Sequence, residues 1–478
     1  MAFSVISNSQ FPEIDATRWR VLAEKALQGA AFEDTLVSHT DDGIAIRPVY
    51  ARAEAKPAGR RHQAMPWRMV QRIDDPDAGR ANMQALEDAN NGATGLALVF
   101  EGAPNAFGFG IPANREALAR ILADLPLDRL YLRIDSHPLS RASIDWIIEI
   151  YGARRIDPAG LTFSLGLDPA AIFAGTGRLS MSIEALQASL PQSLAHFFAL
   201  GLPGVLLEAD GRVYHNAGAT EAQELGAMLA GAVSHLRMFE QARQPLIYAA
   251  PHIGFSLSVD QDQFVSIAKI RALRRLWSRV QEACGIEPTP ATIHAETSWR
   301  MISFKDPETN ILRSTVAAFS AAVGGADSIS VVPHTAAHGL ADGFARRIAR
   351  NIQLILADES HLGFVADPMA GAGGIEALTE ALCERAWSEF QAVEALGGLM
   401  PALASGRLQA QIRKSRDMRA ARYAAGEIAI VGTNRYPADR ERPVAVLEAP
   451  VRPMPTEGAV HCDRLDTVRI DMLDGGAA

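Results

Sequence analysis

Tyr214 and His215 stand side by side in GRVYHNAGATEAQELG (211–226), where a short apolar run ends and a helical pattern begins. A histidine with a near-neutral pKa can pass protons or hold a polar substrate, and a tyrosine can donate to a developing charge, so the pair has the makings of an acid/base couple. His294 and Glu296 in ATIHAETS (291–298), and His334 at the end of SISVVPH (328–334), offer related chemistry on other apolar runs. Each also has a plainer use, capping a backbone carbonyl or satisfying a loop. His334 and His338 lie four apart in PHTAAHGLADGFARR (333–347), a spacing that can bind metal from a helix. No HExxH accompanies them and the stretch reads as a loop, so no metal is expected. AFGFG (106–110) is a glycine-aromatic loop without a phosphate motif, and DPMAGAGGIEALTEAL (367–382) sets small residues before a helix N-terminus, where barrels hold phosphate or simply turn tightly.

These groups need a frame to bring them together. Short β-type runs recur at TGLALVF (94–100), RLYLRID (129–135), LTFSLGL (161–167), GVLLEAD (204–210), IGFSLSV (253–259), ATIHAETS (291–298), SISVVPH (328–334) and HLGFVADP (361–368). Between them lie segments such as NREALARILADL (114–125), TEAQELGAMLAGAVSHLRMF (220–239) and DQFVSIAKIRALRRLWSRVQEA (262–283), apolar at three- and four-residue intervals. Strand then helix, eight times, predicts an α/β protein of the (β/α)8 TIM-barrel type, with an open doubly wound sheet as the alternative. A barrel would gather Tyr214, His215, His294, Glu296 and His334 at the C-terminal ends of its strands.

The expected organisation is an N-terminal arm with one helix (1–64), the barrel (65–395), and a helical segment with a Pro-rich tail (396–478). Arms of this composition either lie across a partner subunit or fray. The 478 residues are 48% hydrophobic with a formal net charge of -9 and no basic cluster, so nucleic acid is not an expected partner. No run approaches the length of a membrane span, and no targeting segment is evident. Cys284, Cys383 and Cys462 are far apart, which points to a reducing compartment, the cytoplasm.

Three passages carry a resemblance: IAKIRALRRLWSRV (267–280), ETSWRMISFKDPETNILRSTVAAFSAAVGGADSI (296–329) and DGFARRIARNIQLILADESHLGFVADPMAG (342–371). In order and type they resemble the coenzyme B12-dependent acyl-CoA mutases of the methylmalonyl-CoA mutase family, over about residues 17 to 436. That resemblance implies a barrel entered along its axis by the pantetheine of CoA. It also implies a following flavodoxin-like domain, which carries cobalamin through a DxHxxG motif, and a carbon-skeleton radical rearrangement.

The departures bear on activity. After GEIAIVGTNRYP (426–437) only about forty residues remain and VHCD (460–463) is not DxHxxG, so no cobalamin-binding flavodoxin-like domain is expected. The family's RPWTIRQY is matched by MPWRMVQR (65–72), with Arg72 in place of the tyrosine and Val70 in place of the arginine. Tyr214 and His215 keep the family's YH, but the residues that follow are shorter and lack its glutamate. HCQTSG appears as HAETSW, keeping His294, Thr297 and Ser298 with Glu296 for the glutamine. EALQASLPQSLAHFFALGLPG (184–204) offers no arginine to grip a substrate carboxylate, and Glu296 would repel an anionic acyl group.

The chain therefore resembles the family's non-catalytic small subunits, which pair as heterodimers with a catalytic large subunit. The resemblance implies no catalytic residue here, a vestigial pocket of Arg72, Tyr214, His215, His294 and Glu296, and no cofactor bound by this chain. Adenosylcobalamin would enter the holoenzyme through the large subunit. Two alternatives remain: a catalytic barrel served by a separately encoded cobalamin-binding subunit, and a CoA-thioester sensor without chemistry.

Overall fold

The computed structural model describes residues 15–55, 66–452 and 454–473. Eight parallel strands close into a barrel: β1 Arg68–Ile73, β2 Gly95–Leu98, β3 Tyr131–Ile134, β4 Phe163–Leu167, β5 Val205–Asp210, β6 Ile253–Val259, β7 Thr292–Thr297 and β8 Ser328–Ser330. They follow one another around the barrel in chain order, and β8 returns to β1 with Ser328 opposite Arg68 and Ser330 opposite Val70. The (β/α)8 expectation holds.

One strand is misplaced in the sequence reading. HLGFVADP (361–368) forms turns at the surface, with Phe364 and Val365 exposed. The eighth strand is instead β1, inside MPWRMVQR. Once β8 pairs with β1 the sheet has no edge left for another strand. In β1, Arg68, Gln71 and Arg72 interrupt the apolar pattern that marks the other strands.

Side chains alternate along each strand. Outward residues such as Ile73, Leu98, Ile134 and Leu257 join the main core beneath the helices. Inward positions carry small or charged residues, among them Ala97, Ser256, Ser258 and Ser330, with Arg72, Arg133, Glu208 and Glu296. The helices begin on side-chain caps: Asp77, Asn114, Asp168, Asp262 and Asp342 each accept a backbone N–H, and Thr220 forms a capping box with Gln223. A register shift in β4 between Ser164 and Leu167 depends on Gly166, whose φ is 58° and where a Cβ would lie 1.8 Å from the Ile134 carbonyl oxygen. It sets Asp168 at the top of the barrel.

Outside the ring, helix Gly373–Ala395 packs across helices Glu221–Gln241 and Gln263–Ala283, with buried Arg271 joining Asp367 and Glu376 beneath it. The described part of the arm holds two helices, Ala16–Ala26 and Phe32–Leu36, and a pairing of Ser38–His39 with Ala45–Ile46, where one helix was expected. Residues 1–14 and 56–64 of the expected arm lie outside the described residues. The glycines of DPMAGAGG serve this arm: Ala53 donates to the Gly371 carbonyl (3.2 Å), and a Cβ at Gly373 would lie 1.8 Å from the Ala51 oxygen. The tail neither reaches away nor frays over its described length. Val446–Leu447 pairs with Leu340–Ala341 and Val460–His461 with Arg178–Leu179, so it is seated on its own barrel. Among the described residues no helix is long and apolar enough to cross a membrane.

Candidate functional site

The upper part of the barrel axis is filled by ion pairs. Arg72 donates from Nη1 to Glu296 Oε2 at 2.8 Å, and Arg212 reaches Glu296 Oε1 at 3.2 Å from the other side. Arg212 also binds Asp210 (2.7 Å) and Asp135 (3.1 Å), while Arg133 binds Asp135 (3.0 Å) and forks onto both oxygens of Glu208 (2.7 and 2.8 Å). Asn105 closes the loop, accepting from Arg72 through its backbone oxygen (2.7 Å) and donating from Nδ2 to Asp210 (3.1 Å). None of the seven charged residues is more than 4% exposed. Three guanidiniums face four carboxylates, and burial opposes the charge of the acids around them. Burial raises the Asp210 carboxyl despite Arg212, and burial lifts neighbouring Asp168 to about 7. Burial acts against ionised Asp135 too, but Arg212, Arg133 and Arg72 hold it well below the usual carboxylate range.

Arg72 and Glu296 thus belong together, and His294 lies two residues below Glu296 on the same inward face. Its Nδ1 bonds Ser328 Oγ at 2.8 Å, and burial, then Arg133 and Arg212, push the imidazole well below its ordinary pKa. Glu296 is tied between two cations, Arg72 and Arg212.

Tyr214 and His215 diverge. They sit in a short helix, Arg212–Asn216, which sends them into different surroundings. Tyr214 packs in a separate core cluster with Phe173, Leu403 and Leu465; burial, then Asp168 and Asp210, raise its phenol well above 10. His215 bonds Ser298 Oγ through Nε2 (2.8 Å) and Glu224 Oε2 through Nδ1 (3.1 Å), the order of a nucleophile–base–acid relay. All three are sealed from solvent, and Lys269 holds Glu224 at 2.7 Å. Burial, then Arg300, Lys269 and Arg419, keep His215 neutral, while burial lifts Glu224 to about 7. Ligand atoms of His215, Glu221 and Asp260 come within 4.8 Å of one another, as a metal would ask. The cation among them is Arg300, bonded to Glu221 (3.2 Å) and Asp260 (3.3 Å). His334 and His338 do lie in a loop; His338 donates to the Phe304 carbonyl and His334 meets the edge of Phe344.

Above the ion pairs the mouth is roofed. Phe107, over Arg72, stacks on Trp299 at 4.2 Å, so the AFGFG loop supplies a lid plate. The tail crosses over this plate: Arg452, Leu465, Val468 and Ile470 donate backbone N–H groups to Gly108, Ala174, Asn216 and Arg300.

A family model described as methylmalonyl-CoA mutase matches residues 106–470. The methylmalonyl-CoA mutase small subunit of Streptomyces virginiae is 34% identical over 468 residues, covering 93% of this chain and 74% of that protein. The small subunit of Propionibacterium freudenreichii subsp. shermanii is 32% identical, covering 92% and 70%. The chain belongs to the methylmalonyl-CoA mutase family. The likeness extends at 26% identity to the methylmalonyl-CoA mutase of Escherichia coli, with 95% of this chain and 68% of that protein covered.

Within the family frame, Trp299 stands where HCQTSG ends in glycine, and its indole forms the roof. Arg133, Arg212, Asp135, Glu208 and Asp210 were not singled out from sequence. Arg133 and Glu208 are 75 residues apart, and only barrel closure sets them face to face. The available signal was the presence of charges inside the apolar runs RLYLRID and GVLLEAD.

Proposed function

We propose that this chain is the non-catalytic small subunit of a heterodimeric methylmalonyl-CoA mutase, in which a large chain binds adenosylcobalamin and isomerises methylmalonyl-CoA and succinyl-CoA. The observation that carries this reading is the guanidinium–carboxylate network on the barrel axis. A pantetheine threading that axis would have to displace Arg72, Arg133 and Arg212 from every carboxylate they hold, leaving several buried charges unpaired at a cost of several kcal/mol each. The mouth does not fit a corrinoid either: Phe107, Trp299 and the tail lie across it, and His215 is engaged by Glu224 and Ser298. Arg72, Tyr214, His215, His294 and Glu296 are then the remains of a substrate pocket, retained because they bond neighbouring side chains or, as Tyr214 does, pack in the core. The three free cysteines support a cytoplasmic setting.

The test is co-expression with the large methylmalonyl-CoA mutase chain of the same organism, followed by sizing and a mutase assay. A 1:1 complex with turnover is expected, and no turnover from this chain supplied with adenosylcobalamin and methylmalonyl-CoA. Turnover on adding only a separately encoded cobalamin-binding protein would replace this reading with that of a catalytic barrel.

A further inference from the structure

Six large apolar side chains are left open on one side of the barrel. Leu312 and Val316 lie one turn apart on helix Thr309–Gly324, and Phe344 opens the adjoining helix Gly343–Leu354. The two helices pack side by side with their N-termini at the same end of the barrel. Phe304 joins them through the loop between β8 and the second helix, since His338 stacks on Phe304 and His334 meets Phe344. Val431 and Tyr436 join from the chain after the barrel: Arg313 donates to the Val431 carbonyl and Gly432 abuts Asp306. Tyr436 is 78% exposed, Leu312 67% and Phe344 61%.

Burying an aromatic side chain removes roughly 150–250 Å² from water. At these exposures the six present on the order of 600 Å², at the upper end of the largest patch a monomer ordinarily leaves open. A standard interface uses about 800 Å² per partner, so this patch supplies most of one side with an apolar, aromatic-rich centre. The neighbouring groove of Asp306, Glu308, Arg440 and Arg442 gives it a charged rim of both signs.

Resting on the heterodimer reading above, we infer that this face, built by helices Thr309–Gly324 and Gly343–Leu354 with residues 431–436, is where the large mutase subunit docks. Leu312 and Phe344 are its anchors, because they project from two rigid helices and lose little entropy on burial.

The experiment compares three forms of the full chain against the large methylmalonyl-CoA mutase chain: the natural sequence, Leu312→Glu/Phe344→Glu, and Ile247→Glu/Tyr248→Glu. The last pair is exposed on a different helix, Leu246–Ala249. The first double variant should bind about 100-fold more weakly, and the second should stay within about 3-fold of the natural chain. Melting of each free variant by circular dichroism tests folding, and Val431→Ser/Tyr436→Ser, in the loop, gives a milder probe that should weaken binding about 10-fold. Equal binding by all forms would overturn the assignment of this face while leaving the heterodimer intact. No binding by the natural chain would fail both readings. Self-association of the natural chain alone, abolished by Leu312→Glu/Phe344→Glu, would assign the face to a second copy instead.

Discussion

Glu296 accepts from two guanidiniums at once, so its charge is structural. Replacing it with glutamine, the residue at that place in the family's HCQTSG, leaves Arg72 and Arg212 buried and short of a partner. Removing one partner of a buried pair costs about 3–5 kcal/mol, so Glu296→Gln should show that loss in urea unfolding, and the sequence change alone should not yield acyl-CoA binding by calorimetry. His294 tests the field of the same network. Burial and the arginines hold it neutral, so below its unfolded pKa of about 6.5 the unfolded chain takes up a proton that the folded chain refuses, and stability is lost as pH falls. Asp168 and Glu224, each raised to about 7, act oppositely: the folded chain holds their protons while the unfolded chain releases them, so their contribution is lost as pH rises from about 4 to 7. The two groups of residues offset one another through the acid range, and a single substitution separates them. His294→Gln keeps a hydrogen-bonding group near Ser328 and should lose less stability than the natural chain as pH falls from 7 to 5.5 in urea unfolding. Parallel pH profiles for the two would show that His294 does not carry this linkage.

At the scale of elements, the arm is held by close backbone approach. Because a Cβ at Gly373 would overlap the Ala51 oxygen, Gly373→Ala should unseat residues 50–55 without disturbing the barrel. Limited proteolysis would then cut near Arg52 faster, by ~10-fold or more, while far-UV dichroism stays unchanged; an unaltered cleavage rate would mean the arm can shift to accommodate the methyl group. Most strands were legible as apolar runs such as IGFSLSV and GVLLEAD, because strands covered on both faces need not alternate with polar residues. β1 was not, since Arg68, Gln71 and Arg72 break its apolar run and only barrel closure buries Gln71 and Arg72. HLGFVADP carried the composition of a strand but had no neighbour to pair with. The tail was legible only as Pro-rich chain: its pairings use two residues each, too few to leave a pattern.

For the molecule as a whole, the resemblance read from ARRIARNIQ and its companion motifs led to the family and the strand-helix repeats to the barrel, whereas the ion pairs that fill the barrel axis were visible only in three dimensions. A charge such as Arg133 carries no mark in the sequence saying whether it meets a ligand or another side chain. A thermal titration separates the two cases. Methylmalonyl-CoA or succinyl-CoA at millimolar concentration should leave the melting temperature of this chain unchanged, whereas a ligand present at 100 times its Kd would stabilise it by ~2.7 kcal/mol and raise the midpoint by several degrees.

The roof of Phe107 and Trp299 over a core of tethered ions has a consequence for how the shape of the barrel is maintained. A protein whose central cavity must be filled by a metabolite is only as durable as the supply of that metabolite. Here the filling is encoded in the chain; in the heterodimer proposed above, that would insulate its folding equilibrium from swings in thioester supply and let it hold a constant shape beside a neighbour whose own cavity empties and refills.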